Sequence, residues 1–166
     1  MIANSIQLPV TTLVGLAIRT NNKQEMDPDS SCIAPLAGRF WGDQLSEQIK
    51  HRAQPGVTYC VYTDYESDET GEYTYFIGEE VDSLEDQDLD RFQSLVIPES
   101  CYTRLTSPSG PMPEVVIAGW QKIWSMGTET LLGRRKYIAD FEIHDHRAAN
   151  PDAAVVDFYI GVDPIK

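Results

Sequence analysis

The chain has 166 residues, a net charge of −13 at neutral pH and a hydrophobic fraction of 42%. This length fits one domain that buries most of its apolar surface, and the composition excludes a disordered chain. The negative charge argues against a nucleic-acid-binding surface, because such surfaces are built from clustered Lys and Arg side chains.

The first half of the chain predicts the element order β-α-β-β. A strand is predicted at 10–19, where β-branched and apolar residues show no helical period. A helix is predicted at 33–50, because apolar residues recur there every three to five positions and Pro35 is tolerated in a first turn. Two aromatic, β-prone runs at 57–65 and 72–81 are joined by an acidic loop and predict a hairpin.

The second half repeats this order, with a strand at 94–105, a helix at 114–126 and a hairpin formed by 136–144 and 154–162. Alternate residues of a strand point to opposite faces, so the strand at 136–144 has two distinct faces. One face carries Tyr137, Ala139, Phe141 and Ile143, and the other carries Ile138, Asp140, Glu142 and His144. If the first face rests on a helix, we expect the second face to line a cleft.

Three short sequences occur twice in the same order along the chain. Leu8-Pro9 recurs as Ile97-Pro98 at an offset of 89, and the other two sequences recur at an offset of 83. These two are marked by the pairs Trp41 with Trp124 and Gly78 with Gly161. A duplicated unit explains the common order, and growth of the loop after the first strand explains the change of offset.

The duplication predicts an α+β fold built from two β-α-β-β halves with pseudo-twofold symmetry. We expect a single domain, 1–166, with pseudo-repeats at 1–88 and 89–166. The halves would form an antiparallel sheet with two helices flanking a central cleft. A concave cleft lined from both halves is a natural site for a small ligand.

Short segments spread over almost the whole chain carry the pattern of a known family. These segments are Val14-Gly15-Leu16, Phe40-Trp41, Gly56 to Tyr59, Tyr62 to Tyr65, Tyr73 to Val81, Ile97 to Tyr102, Trp120 to Trp124, Asp140 to His144 and Phe158 to Val162. In this order they resemble the GyrI-like small-molecule-binding domain, the effector-binding module of bacterial AraC-type and MerR-type multidrug-responsive regulators. The nearest subgroup is the stand-alone, integron-associated effector-binding proteins. Ile160-Gly161 departs from the Ile-Pro with which the family's last strand commonly ends.

The resemblance implies a binding site for amphipathic, cationic organic molecules. In the family, a Phe-Glu pair on the penultimate strand supplies a buried acid that faces the cation, so Phe141 and Glu142 carry this role here. A buried, unpaired carboxylate costs several kcal/mol, which suits a cavity that takes up a cation. The alternative places Glu142 on the solvent face.

Aromatic side chains are expected to surround the cation through cation-π contacts. The candidates are Tyr59, Tyr75, Trp120, Trp124 and Tyr137. Each of them is equally compatible with an ordinary core position, because large aromatic residues dominate cores. We expect Trp41 to belong to the core.

No metal site and no cofactor are predicted. His144 and His146 would share a strand face, but Asp145 would point away and no third ligand is evident, so a solvated strand end is expected. The three cysteines show neither C-x-x-C nor His spacing and are expected to be buried thiols.

The sequence therefore predicts a stand-alone domain, monomeric or homodimeric, that binds an organic cation. A signal peptide and a membrane-spanning run are not expected, so the predicted location is cytoplasmic. No helix-turn-helix segment is evident, so we expect no direct contact with nucleic acid; a separate DNA-binding regulator is a candidate partner. The alternative function is hydrolysis of small electrophilic compounds with Glu142 as general base. A third hypothesis is an interaction domain that presents acidic loops to a basic partner.

Overall fold

The computed structural model describes residues 1–165 as an α+β fold with one large antiparallel sheet. The strands are β1 (Ala3–Leu8), β2 (Thr11–Asn21), β3 (Thr58–Thr63), β4 (Glu72–Glu80), β5 (Gln93–Ile97), β6 (Ser100–Thr106), β7 (Gly133–Arg135), β8 (Ala139–His144) and β9 (Asp157–Pro164). The helices are α1 (Asn22–Glu25), α2 (Ile33–Gly42) and α3 (Glu114–Trp124). The predicted fold class is confirmed.

The strand order reads alike from both ends of the sheet. It runs β1-β6-β9-β8-β3-β4-β2-β5, with β7 beside β9. Strands β2, β4 and β3 form one triplet and β6, β9 and β8 form the other, and the triplets meet where β3 pairs with β8. The outer strands are exchanged, because β1 pairs with β6 and β5 pairs with β2. The central pair β3–β8 is therefore the junction between the two halves.

The strand predicted at 94–105 and the helix predicted at 33–50 differ from the structure for identifiable backbone reasons. The strand predicted at 94–105 is divided into β5 and β6, because Pro98 lacks the N–H that a continuous ladder needs. The helix predicted at 33–50 ends at Gly42, and a 3₁₀ turn follows at Leu45–Gln48. Gln44, with a φ of 51°, takes the left-handed conformation that separates the helix from this turn.

The predicted strand 136–144 begins only at Ala139. Tyr137 has a φ of 52°, in the left-handed region, so it stands outside the strand and its alternation. Strands β1 and β7 were not predicted. The short strand β7 precedes Tyr137 and pairs with the end of β9.

The core consists of three clusters, two under the helices and one on the opposite face of the sheet. Phe40 anchors the cluster under α2, and Ile123 anchors the cluster under α3. The third cluster contains Phe141, Tyr102 and Tyr159, together with apolar side chains of the outer strands β1 and β5. Tyr62 packs against both helix clusters, so it marks the point where they meet. Within the described residues, no helix is both long enough and apolar enough to cross a membrane.

Candidate functional site

A cavity of about 460 Å³ lies between the two main helices and the central strands. Helix α2 closes one side and α3 closes the other, while β3, β4 and β8 form the floor. Most of the wall is aromatic. The aromatic lining residues are Trp41, Tyr62, Tyr65, Tyr73, Tyr75, Trp120 and Trp124.

The register of the central strand pair brings the polar residues of the floor together. Cys60 lies opposite Glu142, and Thr58 lies opposite His144. Directly paired residues of an antiparallel ladder project from the same face. Glu142 and His144 are two positions apart on β8, so they also share this face.

Glu142 is buried at the floor of the cavity, with 3% of its surface exposed. Its Oε2 accepts a hydrogen bond from the indole Nε1–H of Trp120 at 2.7 Å, and its Oε1 lies 3.2 Å from Nε2 of His144. The expectation that Glu142 has no partner is therefore wrong. Each of its carboxylate oxygens has a protein donor.

Helix α3 approaches the sheet closely enough for Trp120 to reach Glu142. A Cβ atom at Gly119 would lie 2.3 Å from Cζ of Phe158, which is fully buried. The indole of Trp120 packs 5.4 Å from the Phe158 ring and 4.7 Å from the Tyr62 ring, measured between centroids. Glycine at 119 thus permits the helix-to-sheet spacing on which the Trp120–Glu142 hydrogen bond depends.

His144 is buried, with 6% exposure, and its ring lies 5.4 Å from that of Trp41. Burial lowers the pKa of His144, but the neighbouring Cys60 and Glu142 side chains outweigh burial and raise it. The prediction of a solvated strand end is wrong for His144. It describes His146 correctly, because that side chain is 89% exposed.

The other charged residues of the cavity are engaged with the protein. The carboxylate of Glu25 accepts backbone N–H groups of Cys32 and Ile33 at 3.0 to 3.1 Å, where α2 begins. Arg135 donates to Asp140 at 2.6 Å and lies 3.6 Å from Glu69. These contacts fix the charged side chains in the wall of the cavity.

Four of the seven predicted site residues line the cavity together: Glu142, Tyr75, Trp120 and Trp124. Phe141 and Tyr59 do not line it, and this corrects their assignment. They pack in the third cluster with ring centroids 5.6 Å apart, because each precedes a residue on the helix-covered face of the sheet and therefore projects from the opposite face.

Tyr137 is also outside the lining of the cavity. Its ring lies 4.2 Å from the guanidinium carbon of Arg135, and its hydroxyl donates to Glu69. Both of these partners do line the cavity. Tyr137 therefore supports the wall from behind, and its predicted role as a direct contact does not match this position.

Trp41 lines the cavity, and its predicted place in the core is wrong. The side chain is 40% exposed and its Nε1–H donates to Oγ1 of Thr58 at 3.2 Å, whereas Phe40 is fully buried. Successive helical residues point about 100° apart, so one member of an adjacent aromatic pair faces the core and the other turns aside.

Three tyrosines of the wall, Tyr62, Tyr65 and Tyr73, were missed, and strand alternation contained the signal for Tyr62 and Tyr73. Tyr73 is two positions before Tyr75 on β4, and Tyr62 is two positions after Cys60 on β3. Each therefore projects from the same face as a residue near Glu142.

The sequence matches the family described as integron-associated effector binding protein over residues 6–162. It is 29% identical over 157 residues to YobU of Bacillus subtilis (strain 168), which is named as a candidate transcriptional regulator; the match spans 93% of this chain and 94% of YobU.

Two solved structures share the fold. An integron cassette protein from the mobile metagenome of Vibrio cholerae is 26% identical, with a TM-score of 0.70 over 97% of this chain and 95% of that protein. SAV2435, solved bound to tetraphenylphosphonium, is 17% identical, with a TM-score of 0.75 over 98% of this chain and 94% of that protein. The match over residues 6–162 and the shared fold confirm the resemblance found in the sequence, and the chain belongs to the integron-associated effector-binding family.

Proposed function

We propose that this protein binds an aromatic organic cation in the cavity between α2 and α3, with Glu142 as the counter-charge. The observation that carries the proposal is a buried carboxylate on the floor of an aromatic cavity. A carboxylate held out of water attracts a cation more strongly than one on the surface, because the surrounding medium screens the charge less.

The charge balance of the cavity favours a cation. Its lining contains the carboxylates of Glu25, Glu69 and Glu142, against the cationic Arg135 and the imidazole of His144. Carboxylates remain in excess even when His144 carries a proton. The chain as a whole carries a net charge of −13, which adds a favourable long-range field for a cation.

The size and the wall of the cavity suit a compact aromatic ligand. A volume of about 460 Å³ falls within the range of about 300 to 1,000 Å³ that small-molecule sites occupy. Trp41, Trp120 and Trp124 border the space, and each indole face offers a cation-π contact of roughly 0.5 to 2 kcal/mol. The walls therefore supply both apolar burial and attraction for positive charge.

The relatives support this choice of ligand and the regulatory setting. Tetraphenylphosphonium, the compound bound in the SAV2435 structure, is an aromatic organic cation. YobU is named as a candidate transcriptional regulator. We propose that ligand uptake by this chain is read by a separate DNA-binding regulator or serves to sequester the ligand.

A displacement experiment tests the proposal. The protein is first titrated with a cationic rhodamine-type dye, and the bound dye is then displaced with tetraphenylphosphonium or with neutral triphenylphosphine oxide. We expect the cation to displace the dye at concentrations at least about tenfold lower, which corresponds to about 1.4 kcal/mol. Equal displacement by the two compounds would contradict the role of charge.

Hydrolysis of a small electrophile, with Glu142 as the base, is a separate hypothesis. Its test is product formation rather than affinity. The described geometry engages both oxygens of Glu142 with donors, an arrangement that favours binding over proton abstraction.

A further inference from the structure

Three metal-binding side chains from the two halves of the protein converge beside the cavity. They are Cys60 on β3 and Glu142 and His144 on β8, and their ligand atoms lie within 4.8 Å of one another. All three residues are buried, with exposures between 1% and 6%. Cys60 and Glu142 are direct partners in the β3–β8 ladder, so the sheet itself holds the cluster together.

The spacing between two of the three ligand atoms matches the first coordination sphere of a metal ion. Oε1 of Glu142 and Nε2 of His144 are 3.2 Å apart. Nitrogen and oxygen ligands at about 2.0 to 2.1 Å from a tetrahedral zinc ion are separated from each other by roughly 3.3 Å. These two atoms can therefore bind one ion with little movement of either side chain.

A hydrogen bond from outside the cluster orients Glu142 for metal binding. Its Oε2 is held by Trp120 at 2.7 Å, so Oε1 is the oxygen that binds the ion once Nε2 of His144 has lost its proton. Hydrogen bonds of this kind orient metal-binding carboxylates and contribute to affinity. Glu142 and His144 line the cavity, so a fourth coordination position is available on the cavity side.

We propose that Cys60, Glu142 and His144 form a binding site for a single zinc ion whose fourth position opens into the cavity. One sulfur, one nitrogen and one oxygen donor suit Zn²⁺, whereas Mg²⁺ and Ca²⁺ require oxygen ligands. Binding releases the thiol proton of Cys60 and the Nε2 proton of His144 to solvent, because the thiolate and the unprotonated imidazole nitrogen are the ligands.

Zinc also competes with an organic cation for the same carboxylate. Zinc bound to Oε1 neutralises Glu142 and occupies the space beside it, so the carboxylate no longer serves as a counter-charge and an organic cation binds more weakly to the zinc-loaded cavity. This competition rests on the proposed function, whereas the zinc site itself does not. Zinc would then act as an antagonist of cation binding.

Cobalt spectroscopy on the chelator-treated full chain tests the site without any organic ligand. We expect one equivalent of Co²⁺ to produce a thiolate-to-cobalt charge-transfer band together with intense visible bands of tetrahedral coordination. Zn²⁺ should abolish both. Cys60→Ser should remove the charge-transfer band, whereas Cys101→Ser, on the distant strand β6, should retain it. His144→Gln should weaken Co²⁺ binding by at least about tenfold.

The outcomes separate the two proposals. Absence of the bands in the wild-type protein, or their persistence in folded Cys60→Ser, overturns the zinc site. The wild-type spectrum decides this even if a variant fails to fold. Cobalt bands without any binding of the rhodamine-type dye support the zinc site and contradict the proposed function. Dye binding that saturating Zn²⁺ leaves unchanged overturns the competition.

Discussion

Phe40 and Trp41 are adjacent aromatic residues with different surroundings, and they offer a direct test of the cavity wall. Trp41 is 40% exposed, so Trp41→Ala should cost little stability while weakening binding of a cationic dye by about 0.5 to 2 kcal/mol. Phe40→Ala should destabilise the fold by about 3 to 5 kcal/mol, because Phe40 is fully buried.

Chemical denaturation and dye titration of both variants measure these effects. A large loss of stability in Trp41→Ala with unchanged dye affinity would return Trp41 to the core, as the sequence first indicated.

The sequence located the buried acid but assigned some of its neighbours to the wrong face. Glu142 and Trp120 were both predicted, and the structure joins them by a hydrogen bond. The family resemblance assigned Phe141 to the site together with Glu142, although adjacent residues of a strand project from opposite faces of the sheet. The proximity of Cys60 to Glu142 and His144 was beyond prediction, because it depends on the register between two strands that are about 80 residues apart in the chain.

At the scale of elements, two glycines of the main helices provide a matched pair. A methyl group at Gly119 would collide with the buried Phe158 ring, whereas Gly38 in α2 has nothing within 4 Å of the corresponding position. We expect Gly119→Ala to lower stability, because overpacking costs about 1 to 3 kcal/mol and exceeds the helix-propensity gain of up to about 1 kcal/mol. Gly38→Ala should gain stability through the same propensity.

Thermal or chemical unfolding of the two variants measures this difference. Equal stabilisation by both substitutions would show that α3 is free to move away from the sheet, and the Trp120–Glu142 contact would then lose its structural support.

Local sequence patterns predicted the helices and the central strands, but they did not predict strand β1. Apolar spacing predicted where α2 and α3 begin, and aromatic β-prone runs predicted β3 and β4. Strand β1 has no strong sequence pattern of its own, and it is stabilised by pairing with β6 in the other half of the chain. Such pairing between distant segments leaves little signal in a local window of sequence.

For the whole molecule, the duplication stays a prediction, and the pairing of Gly78 and Gly161 with neighbouring strands bears on it. Gly78 pairs with Gly15, whereas Gly161, its counterpart at the offset of 83, pairs with Tyr102. The offset of 89, which relates the first strands of the two halves, makes Arg104 the counterpart of Gly15 and therefore the expected partner of Gly161. The observed partner, Tyr102, lies two residues earlier. A superposition of the halves should therefore show that the pairing of β6 with β9 is shifted by two residues relative to the pairing of β2 with β4.

The net charge leads to a prediction about nucleic acid. With a charge of −13, the purified chain should not retard duplex DNA in a gel-shift assay at about physiological salt, because phosphate binding requires clustered cationic side chains. Retardation that weakens steeply as salt is added would contradict this expectation and point to a basic surface.

In the proposed function Glu142 supplies the counter-charge for a bound organic cation, and the variant Glu142→Gln tests this role. The amide preserves the size of the side chain and removes its charge, so cation affinity should fall by roughly 1 to 3 kcal/mol while neutral ligands are nearly unaffected. Glu85→Gln, at an exposed position, changes the net charge equally and should leave binding unchanged.

Fluorescence titration with a cationic rhodamine-type dye is the measurement, and circular dichroism verifies that each variant is folded. We expect weaker dye binding in Glu142→Gln alone. Equal dye affinity in the wild-type protein and a folded Glu142→Gln variant would contradict this prediction and remove Glu142 from the site.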